Sequence, residues 1–456
     1  MVQDGHAEGW HPARLIPTVG IRSQEEQEKR ATSTPLAVMR AVPEFGHALL
    51  GPLGAPKGRI ATFAEIQLKD AAGKVHIPDG AAVVERGKTR WTCLVEVKTG
   101  NADLRPEQVS RYLDLARENR FDSVLTISNQ ITSAPTDSPL DLDRRKLRSV
   151  KLVRLSWWRI LTEAIVQHRH RGVSDPDQAW LLGELIAYLD DQRSGASGFQ
   201  DMGENWVKIR NGAGDGTLRA SDPEVREVAG RWEQFVEYLC LGLGQDLGRD
   251  VRPVRPRKQT TAARLDANAA VLADAGILEA AIRVPDAAGD LMVQADLRTR
   301  RVVTSVSVEA PADGRPPTRV NWLVRQLKDA PDGLIIEASF INTKTSTASS
   351  LSAARENPKA LLLDSDPHRE PRSFRLALAR PMGTKRGKGE RSFVLETRKQ
   401  AIDFYRGLVQ NLRPWRAAPP KLPDEPDDAP ETPTPEPPAF SGDERQPTEA
   451  QGISET

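Results

Sequence analysis

Three charged residues stand in a stretch that should be apolar. In IPDGAAVVERGKTRWTCLVEVKTG, Ile77–Gly100, Asp79 follows a proline, and Glu96 and Lys98 lie two apart within TCLVEVKT. Residues two apart in a strand share a face. Glu96 and Lys98 therefore project together, and Val95 and Val97 project to the other side. If ERGKTR is a hairpin turn, Asp79 lies on the neighbouring strand near the same end. Two carboxylates with the backbone carbonyl of Val97 between them are oxygen donors for a hard divalent cation. Mg²⁺ suits that set, with Mn²⁺ as the alternative. The Lys98 ammonium could orient a water or stabilise charge building on a phosphate. The cation could polarise a phosphoryl oxygen and generate hydroxide. These are the parts for hydrolysing a phosphodiester. The competing reading is a hairpin with a solvated face.

The surrounding elements must bring these residues together. Thr34 caps and Pro35 begins a helix that carries Leu36, Met39 and Phe45, and GPLGAPKG stops it. RIATFAEIQLKD, VHIPDGAAVV and WTCLVEVKT read as three strands. LRPEQVSRYLDLARENR has helical spacing, and FDSVLTISN is a strand. KLVRLSWWRILTEAIVQH runs from strand to helix with Ser156 as cap, and DQAWLLGELIAYLDD is a further helix. A hairpin followed by a strand–helix–strand crossover predicts a mixed α/β sheet flanked by helices, with the crossover strands parallel.

The order α-β-β-β-α-β, together with Asp79 of PDG, sixteen intervening residues and Glu96 of EVK, resembles the PD-(D/E)XK nuclease superfamily. The resemblance covers about Thr34 to His170, a third of the chain. It implies a restriction-endonuclease-like fold in which Asp79 and Glu96 bind Mg²⁺ and Lys98 assists hydrolysis. QVSRY is similar to the QxxxY motif of the RecB-type and Cas4-type branch, which implies that Gln108 and Tyr112 lie near the scissile phosphate. Their i, i+4 spacing places both on one helix face. A first-helix Glu can complete such a site, and Glu44 or Glu65 is the candidate here. Nucleic acid, DNA in the first instance, is the implied partner. Defence, restriction or repair is the implied setting, and a homodimer is compatible. A member that keeps the fold but only binds nucleic acid, or serves as a scaffold or regulator, is the alternative.

The chain has 456 residues, with Lys+Arg 64 against Asp+Glu 63, so local distribution rather than net charge must decide its partners. The sequence divides into an arm (1–33), the nuclease-like domain (34–215), a second α+β domain (221–415) and a Pro/acidic tail (416–456) expected to be disordered. In the second domain, SDPEVREVAGRWEQFVEYLCLGL starts a helix at Ser221 or Asp222. LMVQADL, VVTSVSVEA, GLIIEASF and FRLALARPM read as strands, with RVNWLVRQLKDA and RKQAIDFYRGLVQNL as helices. Its basic clusters offer Arg252, Arg255, Arg257, Lys258, Lys385, Arg386 and Lys388 as phosphate contacts. Asp296 and Glu309 echo the first motif without a following Lys and read as structural. Of Trp157 and Trp158, one reads as core and the other as partly exposed, and His168 and His170 read as a solvated basic helix end. The two cysteines, Cys93 and Cys240, lie in apolar surroundings without a Cys/His cluster, which argues against zinc or a disulfide framework. No secretory leader or long apolar run is present. The expectation is a cytoplasmic protein without a membrane span.

Overall fold

The structure, a computed structural model, describes residues 14–416 except 101, 103, 133–141, 197, 257, 258, 388 and 390, and the side chain of 144. The acidic tail from 417, the start of the arm, and the candidates Arg257, Lys258 and Lys388 lie outside the described residues. The first part of the chain forms α1 (Gln24–Ala41), α2 (Pro43–Leu50), β1 (Arg59–Ala64), the short pair β2 (Leu68–Lys69) and β3 (Val75–His76), β4 (Gly80–Arg86) and β5 (Thr89–Val97). It continues with α3 (Pro106–Glu118), β6 (Ser123–Ser128), α4 (Arg144–Ser149), β7 (Lys151–Ser156), α5 (Trp157–Val166) and α6 (Pro176–Asp190). The five-stranded sheet has the order β1-β4-β5-β6-β7. The first pairings are antiparallel, whereas β5–β6 and β6–β7 are parallel. The mixed sheet flanked by helices is thus present, and the crossover through α3 makes its two strands parallel as expected.

Register sorts this sheet into rows. Leu94, Val124 and Leu152 are partners across β5, β6 and β7. They are buried with Val109, Leu113 and Ala116 of α3. Val95, Leu125 and Val153, and then Val97, Ile127 and Leu155, face the opposite side. There they pack with Met39 and Phe45, Ile160 of α5, and Leu185 of α6. Strand alternation leaves Glu96, Thr126 and Arg154 as the next row on the α3 side.

The first helix begins earlier than the Thr34–Pro35 pair predicts. Ser23 caps it, its Oγ accepting from Glu26 N at 3.1 Å, and Glu25 and Glu26 suit the first turn. Part of the expected arm is therefore helix, with Ala31 and Thr32 buried. Pro35 lies inside that helix and lacks the N–H that would bond to Ala31. Its neighbours Leu36, Val38 and Met39 bury an apolar face that offsets the loss.

The remaining chain forms α7 (Trp206–Asp215), α8 (Pro223–Leu247), β8 (Arg252–Pro253), α9 (Thr261–Ala275), β9 (Ile277–Arg283), β10 (Leu291–Asp296) and β11 (Arg301–Glu309). Then follow α10 (Pro316–Gln326), β12 (Ile335–Phe340), β13 (Ser346–Ser350), α11 (Leu351–Glu356), β14 (Pro371–Pro381) and α12 (Phe393–Gly407). These strands form a seven-stranded antiparallel sheet of order β13-β12-β14-β11-β10-β9-β8. α7, from the end of the first segment, puts Trp206, Ile209 and Ala213 into the core of this second sheet.

The two sheets belong to one compact unit ending at Trp415. α8 joins them by packing against α5. Gln245 Nε2 donates to Thr162 Oγ1 at 2.8 Å, and Trp158 meets Tyr238 with ring centroids 4.8 Å apart. His168 and His170, in the helical turn after α5, are exposed, as expected of a solvated basic helix end, and a ring nitrogen of His170 lies 2.9 Å from Gln245 O. Trp157 is buried in the core and Trp158 only partly buried, as expected. No helix among the described residues is long and apolar enough to cross a membrane.

Phe393 is fully buried and stacks on Trp206 at 4.4 Å and Phe235 at 5.8 Å between centroids. Phe393→Ala should cost about 3–5 kcal/mol in urea denaturation. A loss under about 1 kcal/mol would show that this aromatic cluster does not hold the second sheet to α8.

Candidate active site

Asp79 stands one residue before β4 and reaches across to β5. Its Oδ2 accepts from Val97 N at 2.7 Å, and its carbonyl accepts from Glu65 N at 2.9 Å. The carboxylate thereby extends the β4–β5 ladder past Gly80 and Val95, the last paired residues. The neighbouring strand end is equally constrained. Lys98 N donates to Ile127 O at 2.8 Å, and Trp157 Nε1 donates to Lys98 O at 2.9 Å.

Glu96 is only 2% exposed. Its Oε1 accepts from Gln108 Nε2 at 2.5 Å and lies 3.1 Å from Lys98 Nζ. The Tyr112 phenol lies against the same carboxylate. Glu96 Oε2 is buried with no hydrogen-bond partner. Burial, and then the charge of Asp79, push the Glu96 carboxyl up to about 7. Burial and the Glu96 charge likewise raise the Tyr112 phenol. For Lys98, burial disfavours the charged form. Glu96, Asp79 and Glu28 outweigh it and hold the ammonium above its ordinary value. The structure thus brings together all five residues predicted from the sequence.

The remaining acidic residue is neither of those expected. Glu65 is exposed and pairs with Lys29 at 3.3 Å. Glu44 lies in the first turn of α2, whose Phe45, Leu49 and Leu50 enter the core. Glu28 of α1 instead reaches Lys98 Nζ at 3.5 Å. Its position followed from a helix start that the S-x-x-E signature at Ser23 could have supplied.

The fit to a divalent cation can be judged from these contacts. Lys98 Nζ sits 3.0 Å from Val97 O as well as beside Glu96 and Glu28. A cationic group therefore already lies against the oxygens that a metal would use, and Glu96 Oε2 is an unmatched acceptor. Among the described residues, no group of three or more His, Cys, Asp or Glu side chains forms a ready metal cage. Asp79, Glu96 and the Val97 carbonyl suit an ion held by one or two carboxylates with several waters, which is the habit of Mg²⁺.

Much of the basic surface is answered internally. Arg255 pairs with Glu237 at 3.1 Å, and Arg252 pairs with Asp250. Arg386 lies 3.7 Å from Asp201. Arg298 donates to Ala213 O, and Arg264 pairs with Glu233 at 3.4 Å. Arg252 and Arg255 each lie beside an acid of their own fold, the Arg252 side chain remaining 73% exposed. Lys385 is exposed. Asp296 Oδ1 accepts from Arg298 N and Thr299 N, which confirms it as a turn residue.

No family model matches the chain, and no curated protein is similar to it.

The raised Glu96 pKa carries a sign. The folded state holds this proton more tightly than the unfolded chain, whose value is near 4.5. Stability from this group is therefore present below 4.5 and is lost as pH rises through about 7. In EDTA, wild type should lose stability relative to Glu96→Gln between pH 5 and pH 8. An offset that stays constant across that range, measured by thermal unfolding, would refute the assignment.

Proposed function

We propose that this chain is a Mg²⁺-dependent nuclease of PD-(D/E)XK type that hydrolyses phosphodiester bonds of nucleic acid, with DNA as the first substrate to test. The observation that carries the reading is the buried Glu96 carboxylate. One oxygen is held by Gln108 and Lys98, the other is unmatched, and Asp79 lies close enough to raise its pKa. Burying such a group without a use for it is costly.

Asp79, Glu96 and the Val97 carbonyl would hold the ion. Once bound, it would polarise a phosphoryl oxygen and lower the pKa of a coordinated water. Lys98, with three N–H donors and a raised pKa, orients a water and faces the charge that builds on the phosphoryl oxygens. Gln108 fixes the rotamer of Glu96, and Tyr112 closes the site on the α3 side. Glu28 holds the ammonium from the side opposite Glu96.

One observation favours a second reading. The ammonium already satisfies Val97 O and Glu96 Oε1. A protein that kept it there would bind nucleic acid without cutting it.

Incubation with plasmid, linear and single-stranded DNA and with RNA, in Mg²⁺ or EDTA, separates the two. Metal-dependent cleavage should fall about 10²–10³-fold in Asp79→Ala and in Lys98→Ala. Failure of wild type to cut any of these substrates, or equal rates in the variants, would reject the nuclease reading.

A further inference from the structure

The row that holds Glu96 continues to an arginine that the active-site reading leaves unused. Glu96, Thr126 and Arg154 are register partners on β5, β6 and β7. All three are buried, with Arg154 4% exposed. All three carry polar atoms without partners: Glu96 Oε2, Thr126 Oγ1, and Arg154 Nε and Nη1. Arg154 Nη2 donates to Gln130 Oε1 at 2.7 Å. That acceptor is neutral.

A guanidinium buried for structural reasons is normally paired with a carboxylate, because taking the charge out of water costs several kcal/mol. Among the described residues Arg154 has no such pair. It lies two strand spacings, about 10 Å, from Glu96. It stands toward the C-terminal ends of the parallel strands, where ligands of α/β sheets bind. Its unpartnered Nε–H and Nη1–H point to different edges of the planar guanidinium, and the edge that Gln130 leaves open, completed by the second Nη2–H, is a fork that matches two oxygens of a phosphate. Lys98, a compact point charge, lacks that fork.

We infer that Arg154 is a substrate-binding residue of this site, whose guanidinium grips a phosphate of the nucleic-acid strand adjacent to the one at Glu96 and Lys98. Thr126 Oγ1 lies between the two positions and donates to the bound strand. Gln130 holds the fork in plane until the phosphate arrives. This inference rests on the nuclease reading of the Asp79–Glu96–Lys98 cluster.

The test uses full-length wild type, Arg154→Met and Arg154→Lys. Thermal unfolding is followed in EDTA, alone, with inorganic phosphate, and with a short single-stranded DNA. Affinity for the labelled DNA is measured at several salt concentrations. Without ligand, Arg154→Met should melt no lower than wild type, since an unpaired buried charge has become an apolar side chain of similar length. Its DNA affinity should fall about tenfold, with a salt slope smaller by about one. Arg154→Lys should recover only part of the affinity. If wild type cuts DNA and Arg154→Met keeps the same affinity and KM, the inference fails and the nuclease reading stands. If wild type binds but never cuts, and Arg154→Met loses the binding, the inference stands and the nuclease reading fails. A lower melting temperature in Arg154→Met with unchanged affinity marks a purely structural arginine and overturns the inference. Equal protection of wild type by inorganic phosphate and by DNA would overturn the assignment to a strand.

Discussion

The parallel register of β5, β6 and β7 is the constraint on which the site depends. Side chains alternate every residue, so a residue's level along the strand and its face are fixed together. Leu94, Val124 and Leu152 form one level, buried under α3. Two residues further on, the same face must carry Glu96, Thr126 and Arg154. No strand can shift alone, because a one-residue slip would send Val95, Leu125 or Val153 out of the opposite core. The polar row is therefore imposed by the apolar rows on both sides. α3 matches it: Val109 and Leu113 cover the lower level, while Gln108 and Tyr112 reach the level of Glu96.

The reactive end of β5 is held by hydrogen bonds that bypass side-chain packing. Asp79 grips Val97 N, Ile127 O accepts from Lys98 N, and Trp157 grips Lys98 O. Gly100 N then donates to Gly195 O at 3.0 Å, from a left-handed conformation with φ +58°. That φ suits glycine best. With the backbone fixed on both sides of Lys98, the ammonium loses little freedom when it meets its three oxygens. A site preorganised in this way keeps its donors aimed without reorganisation. Asp79 serves the ladder and the site at once, so its replacement removes a fold contact as well as a charge.

Local patterns made most of this legible. Alternation in TCLVEVKT put Glu96 and Lys98 on one face, and the short ERGKTR turn brought Asp79 to them. Contacts distant along the chain were harder to read. Glu28 lies 70 residues from Lys98, and the Thr34–Pro35 pair offered an equally sound helix start that hid it. A proline that sits inside a helix gives no local sign that packing will tolerate it. Arg154 in KLVRLS reads as the exposed position of an alternating strand. Only the third in-register strand shows that its face is buried. In the second sheet, β9 (ILEAAIR) is rich in alanine and β13 (STASS) in small polar residues. Each carries few β-branched and no aromatic residues, and neighbouring strands supply the ladder for both.

The electrostatics of the cluster explain why its parts belong together. Asp79, Glu96 and Glu28 surround a single ammonium at Lys98, in a place where water is largely excluded. Burial, and then the charge of Asp79, lets the Glu96 carboxyl hold its proton up to about 7, and Lys98 lies against Val97 O and Glu96. The lysine contacts and the Asp79 share of the Glu96 shift answer the same excess of negative charge. If, as proposed, a doubly charged ion took the place of the ammonium, its charge would favour ionised Glu96 and release Lys98 from its carbonyl. Under that proposal, ion binding would be linked to proton release and to movement of Lys98. The freed lysine would remain tethered by the same backbone bonds, within reach of Glu28 and of whatever occupies the row toward Arg154. The cost of keeping Glu96 in its unmatched state is thus tied to the residue that would act next.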